Sequence, residues 1–129
     1  MCGGIKRNER DDILFKQGQK YQFSTNLGDL ELMYGGSVRS ETLESKWRPW
    51  IVKEIVVKAD EFLERNTKGY KYQEFKPFKV PEGKGIKALI TVGDVIRIVT
   101  EPAKGEIAKV HNRQPVLEEV NNADSQERG

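Results

Sequence analysis

IVKEIVVKADEFLER, residues 51–65, admits two folds. Its apolar residues Ile51, Val52, Ile55, Val56, Ala59, Phe62 and Leu63 recur at the spacing of one helical face, which would also set Asp60 and Glu64 one turn apart. Its cluster of β-branched residues reads as strand. Periodicity alone leans toward the helix.

Around this segment the chain is strand-rich. Alternation of apolar and polar residues predicts strands at KYQFS (20–24), LELMY (30–34), YKYQEF (70–75), IKALITV (86–92) and DVIRIVT (94–100), with Pro81, Gly83 and Gly85 as turn residues. PAKGEIAKV (102–110) has a proline suited to a first turn and apolar residues at Ala103, Ile107 and Val110, and predicts a short helix despite Gly105. KRNERDD (6–12) reads as a solvated loop and EEVNNADSQERG (118–129) as a disordered tail, leaving residues 1–117 as a single domain. There is no internal repeat.

Composition excludes several functions. The chain of 129 residues contains a single cysteine, Cys2, and a single histidine, His111. An internal disulfide is therefore impossible, and a structural zinc site, which needs four such ligands, is not expected. No metal or other cofactor is called for. No apolar run is long enough to cross a bilayer and no apolar signal core follows the first charges, so no membrane partner and a cytoplasmic location are expected. The net charge of +2 requires any phosphate contact to be local.

The position of Cys2 behind Met1 carries chemistry. Methionine removal before a small residue would leave Cys2 with an amine and a thiol on one residue, whose ordinary pKa values are roughly 8 and about 8.5. An aldehyde meeting this pair forms a Schiff base with the amine, and the thiol then closes a thiazolidine ring. From MC alone Cys2 reads first as a small buried hydrophobe or an incidental second residue, and MCG also opens the glutamine amidotransferases, whose terminal cysteine attacks an amide.

Four motifs in order weigh on the choice: MCG at the start, RSET (39–42) within MYGGSVRSETLESKWRPW (33–50), ADEFLE (59–64) within VVKADEFLER (56–65), and HNRQPV (111–116) at the end of IRIVTEPAKGEIAKVHNRQPV (96–116). Together they resemble the SRAP family, the SOS response-associated peptidases, with its Asn-x-Arg-x-Glu-Thr, Pro-Ala-Asp-Gly-Phe-Tyr-Glu-Trp and His-x-Arg-Met-Pro-Val segments. Amidotransferases lack this series, and the chain lacks their Arg-Gly-Pro-Asp signature. The resemblance implies an α+β fold, a curved, mainly antiparallel sheet or open β-barrel with a few short helices, in which 54–65 is strand, turn and strand. It implies recognition of abasic sites in single-stranded DNA, with crosslinking through the terminal cysteine and a possible peptidase or lyase activity.

Carried over residue by residue, the resemblance makes Cys2 the nucleophile, Glu64 the catalytic glutamate and His111 the histidine of the last motif. Arg39 and Arg113 become phosphate-binding arginines, with Ser37 and Tyr34 as further DNA contacts. Proton transfer during Schiff-base formation suits a carboxylate and an imidazole, and arginine forks suit phosphates. Read on residue type alone, His111, Glu64 and both arginines are surface or hydrogen-bonded groups. Tyr34, Trp47 and Trp50 are then core residues before they are stacking platforms.

The chain departs from the family at Gly4 (usually Arg), Ser37 (Asn), Arg65 (Trp), Tyr34 (Trp) and Gln114 (Met), and its loops are trimmed. Ser37 matters most, because a hydroxyl is shorter than an amide and offers one donor in place of two. Three readings stay open: a crosslinking sensor of abasic sites, a noncovalent single-strand or partner-binding module, and an N-terminal-cysteine amidohydrolase or peptidase. Oligomeric state is not legible.

Overall fold

The computed structural model describes residues 2–7, 12–67 and 75–120. In chain order the strands are β1 (Cys2–Lys6), β2 (Ile13–Leu14), β3 (Lys20–Thr25), β4 (Gly28–Arg39), β5 (Ile51–Val57), β6 (Glu61–Arg65), β7 (Phe75–Lys79), β8 (Lys84–Thr91), β9 (Val95–Pro102), β10 (Arg113–Pro115) and β11 (Leu117–Glu119). A run of short helical turns fills residues 40–50, and one α-helical turn, α1, spans Gly105–Ala108. The class is α+β, with a closed five-stranded mixed barrel joined to an antiparallel sheet.

Residues 51–65 are two strands. The helical face required Val52 inside and left Val57 off the apolar stripe, whereas Val52 is 66 % exposed and Val57 is 0 % exposed. Strand β5 lies between β3 and β8, and Ile55, Val56 and Val57 are all buried there. Tertiary burial of a β-branched run overrides its 3.6-residue period. The turn through Asp60 carries the chain from the barrel into the second sheet. Asp60 N–H donates to the Lys6 carbonyl at 2.9 Å, and Val80 N–H donates to the Asp60 carbonyl at 2.9 Å.

Strand order around the barrel is β9-β4-β3-β5-β8, closed by pairing of β8 with β9. The β4–β9 pairing is parallel and the others are antiparallel, so the expected barrel-like, mainly antiparallel α+β fold is present, with the barrel closed and one of its pairings parallel. Past Ala88 and Ile98 the strands β8 and β9 diverge, and β10 and β11 fill the gap, β10 pairing with β9 and β11 with β8. Val116 joins both rims, its N–H donating to Val99 O at 2.9 Å and its carbonyl accepting from Lys87 N–H at 2.8 Å.

The C-terminal boundary therefore moves. Glu118 and Glu119 belong to β11, and Val120 N–H donates to Gly83 O at 3.0 Å, so the ordered structure runs past residue 117. Apolar periodicity could not reveal a strand this short. The remainder of the expected tail, 121–129, lies outside the described residues, as do 8–11 of the expected loop and 70–74 of the expected strand YKYQEF.

The antiparallel sheet, in the order β2-β1-β6-β7, shares one core with the barrel. Ile5, Ile13 and Phe62 from the sheet pack in the same cluster as Phe23, Ile86, Ile96 and Ile98 from the barrel. A smaller cluster of Val38, Leu43, Leu89 and Val99 anchors the helical turns, with Trp47 half-buried against it. Trp50, expected in the core, is 57 % exposed.

Of the expected turn residues, Gly83 sits at φ +81° where Lys84 N–H donates back to Pro81 O at 3.1 Å, the left-handed position a glycine fills without strain. Gly85 is instead a buried strand residue. A Cβ there would lie 2.5 Å from the Val57 carbonyl oxygen, so β8 can approach β5 only because no side chain intervenes. Gly85→Ala is expected to destabilise the fold by about 1–3 kcal/mol, read as a lower urea midpoint, whereas Gly18→Ala, with open space around it but φ +85°, measures the cost of a left-handed backbone without a clash. An unchanged midpoint for Gly85→Ala would show that the two strands are not so constrained.

Candidate functional site

Two bulges shape a cavity at the junction of barrel and sheet. In β1 the partners run Cys2↔Glu64, Gly4↔Leu63 and Ile5↔Phe62, so one extra residue, Gly3, brings Cys2 directly opposite Glu64. In β4 the partners run Tyr34↔Ile96 and then Ser37↔Ile98, so Gly35 and Gly36 oppose a single residue of β9. Gly36 takes φ +98°, which a glycine adopts freely. A cavity of about 600 Å³ opens beside both bulges, lined among others by Cys2, Tyr34, Ser37, Arg65, Arg97 and His111.

Cys2 is 0 % exposed and belongs to the core cluster. Its thiol donates to Gly4 O at 3.3 Å. Burial, helped by the neighbouring Glu64 carboxylate, pushes the thiol up to about 12, so it is held protonated. Glu64 is also 0 % exposed, and burial pushes its carboxyl up to about 7. A group with that value holds and releases a proton near neutrality. Tyr34 is buried, stacked on Phe15 at 4.6 Å between centroids. Burial raises its hydroxyl further above the usual range, and the adjacent Cys2 and Glu64 add to the effect. Tyr34 thus both belongs to the core, as its residue type suggested, and walls the cavity.

His111 reaches the rim from the other end of the chain. Helix α1 ends in turns where Val110 N–H and His111 N–H both donate to Ile107 O at 2.9 Å, and Thr67 N–H, just beyond β6, donates to Val110 O at 3.0 Å. This ties the strand of Glu64 to the residue before His111. His111 Nδ1 accepts from Arg113 N–H at 3.0 Å, which places the proton of the neutral ring on Nε2. His111 and Ser37 also line a second cavity of about 380 Å³, to which Arg39 and Arg113 contribute.

The two arginines differ. Arg39 is exposed at the end of β4. Arg113 is engaged by the protein itself, with Nη1 donating to Glu41 Oε2 at 2.7 Å, Nη2 donating to Glu41 Oε1 at 2.9 Å, and Nη2 donating to Thr100 O at 2.8 Å. Glu41 thus takes the bidentate face of the Arg113 guanidinium. The Arg113 guanidinium holds the Glu41 carboxyl down to about 2.

Lining groups not picked out from sequence as site residues include Gln17, Arg65, Phe75 and Arg97. Arg97 supports the β4 bulge, donating to Gly35 O at 2.6 Å and to Thr91 Oγ1 at 3.3 Å, with its guanidinium 4.7 Å from the centroid of the Trp47 ring. The available signal was a lone cation between isoleucines in the strand DVIRIVT. The Gly4 departure has a steric cause, because a Cβ at that position would lie 2.2 Å from the Ile13 carbonyl oxygen. Among the described residues no group of three or more His, Cys, Asp or Glu could hold a metal ion, and no helix is long and apolar enough to cross a membrane.

The buried carboxylate sets a pH dependence. Glu64 rises from 4.5 to about 7 on folding, so between those values the folded chain keeps a proton that the unfolded chain has released, and stability falls as pH rises. The loss is on the order of 2–3 kcal/mol, complete by about pH 8. Glu64→Gln should remove most of this slope in urea titrations from pH 4 to pH 8, and a slope unchanged by the substitution would locate the titrating group elsewhere. No protein-family model matches the chain and no curated protein is significantly similar to it, so its function is to be read from the residues around Cys2.

Proposed function

We propose that the chain senses abasic sites in single-stranded DNA and crosslinks to them through Cys2 as a thiazolidine. The observation that carries the reading is the pairing of Cys2 with the buried Glu64, with Cys2 on the wall of a cavity that His111 and Ser37 also line. The order of the four motifs, which resembles that of the SRAP family, supports it.

With Met1 removed, the Cys2 amine attacks the aldehyde carbon of the ring-opened sugar, forming an N–C bond, and a proton passes from nitrogen to the carbonyl oxygen to give a carbinolamine. Glu64, partly protonated at neutral pH, gives its proton to that hydroxyl, which leaves as water as the C=N bond forms. The Glu64 carboxylate then takes the thiol proton, and sulfur attacks the iminium carbon to close the ring. One water is lost and no oxidant is needed. Burial makes a thiolate costly at Cys2, and the positive iminium formed on the same residue offsets that cost. His111 stands at the rim as a second proton carrier.

Arg39 and Arg113 supply the phosphate contacts, with Glu41 competing for Arg113. Complete burial of Cys2 within the core cluster favours a second reading, a noncovalent single-strand-binding module that keeps the groove without the chemistry.

Processed protein is expected to form a heat-stable adduct with single-stranded DNA containing an abasic site, its intact mass lower by one water than the sum of the parts. Protein retaining Met1 should form none, because the amine is then an amide. Binding without any adduct from processed protein selects the noncovalent module, and equal adduct from Met1-retaining protein removes Cys2 as the reacting group.

Arg39→Ala should weaken single-strand binding and reduce its salt slope by about one. Glu41→Ala should do the reverse, strengthening binding and steepening the slope. If Glu41→Ala leaves both unchanged, Arg113 takes no phosphate.

A further inference from the structure

We infer that Arg65 and Phe75 form a stacking platform that receives the nucleotide beside the reacting sugar, so that the cavity prefers an aldehyde flanked by nucleobases. The inference rests on the single-strand-binding part of the proposed function and extends it to specificity. Arg65 and Phe75 are directly paired across β6 and β7, and the Arg65 guanidinium lies 5.1 Å from the centroid of the Phe75 ring. Both line the cavity that Cys2 lines. The ring is set against the bulge that positions Cys2, since a Cβ on Gly3 would lie 2.3 Å from Phe75 Cε1. The platform is thus built onto the backbone residue next to the proposed nucleophile, on strands whose register is fixed.

Chemistry selects the occupant. A guanidinium stacked on an aromatic ring presents a flat cationic surface suited to a nucleobase and an N–H edge suited to the phosphate beside it. Arg65 is exposed to solvent. The other guanidinium lining this cavity, Arg97, directs its donors to Gly35 and Thr91 and its plane to Trp47, so it serves the bulge. A free aldose would leave the platform without a partner of matching shape, whereas a nucleotide flanking the sugar meets both surfaces.

The test uses the full chain and oligonucleotides carrying a tetrahydrofuran abasic analogue, which has no aldehyde, flanked either by bases or by further base-less spacers. Fluorescence anisotropy should show the wild type binding the base-flanked strand about tenfold more tightly. Arg65→Ala should abolish that preference while the chain still unfolds in one cooperative transition, and Arg65→Lys should restore the salt slope without the preference. Phe75→Leu should lose the preference as well. A full preference in Arg65→Ala, or none in the wild type, overturns the platform. Adduct formation is scored separately on aldehyde-bearing strands: a preference without adducts leaves the platform standing and removes the crosslinking chemistry, whereas adducts whose yield ignores both flanking bases and Arg65 remove the platform alone.

Discussion

The pairing of β4 with β9 is the one parallel seam of the barrel, and the single extra residue in that pairing opens the cavity. Without the Gly35–Gly36 bulge the two strands would run in unbroken register from Met33 to Arg39, leaving a sealed wall. The bulge turns the Gly35 carbonyl toward Arg97 and Gln17, which donate to it at 2.6 Å and 3.3 Å. An irregular carbonyl is thereby satisfied by side chains in place of a ladder partner. Arg97 is in turn held over Trp47, which links the bulge to the helical turns that begin after Arg39. The parallel seam, the cavity and the path of RSET share this one irregularity.

A buried carboxylate beside a buried thiol is an expensive neighbourhood for a small domain. Glu64 lies in the middle of a strand whose neighbours Phe62 and Leu63 are core residues, and an apolar residue would serve packing better there. Such groups concentrate where a protein needs a proton held near neutral pH. Cys2 has a double character for the same reason. As a packing element it is a small apolar side chain at the edge of the core, and as a chemical group it is the thiol adjacent to the raised carboxyl.

The strands around the barrel were legible because alternation survives in them: 20–24, 30–34, 86–92 and 94–100 each fall within or largely within an observed strand. Residues 51–65 were not legible from period alone, since burial of Val57 on a strand covered from both sides breaks the alternation that would have marked it. The motif order carried that segment to its strand, turn and strand. At the site, Cys2, Glu64, Tyr34, Ser37 and His111 were nameable from their motifs, and the fold gathers them, whereas Arg65, Phe75 and Arg97 acquire meaning only through cross-strand neighbours that lie ten or more residues away in sequence. Engagement of Arg113 by Glu41 spans 72 positions, a distance at which no local pattern speaks.

The gap between β8 and β9 is filled by residues 113–119, and β1 pairs with β6 some sixty residues downstream. A topology this non-local is slow to assemble, because distant strands must meet before either gains a partner. Cys2 therefore becomes inaccessible only when β1 docks on β6. Under the proposed chemistry this orders maturation in time: the Cys2 amine has to be exposed before β1 docks, since burial then closes over the residue that has to react.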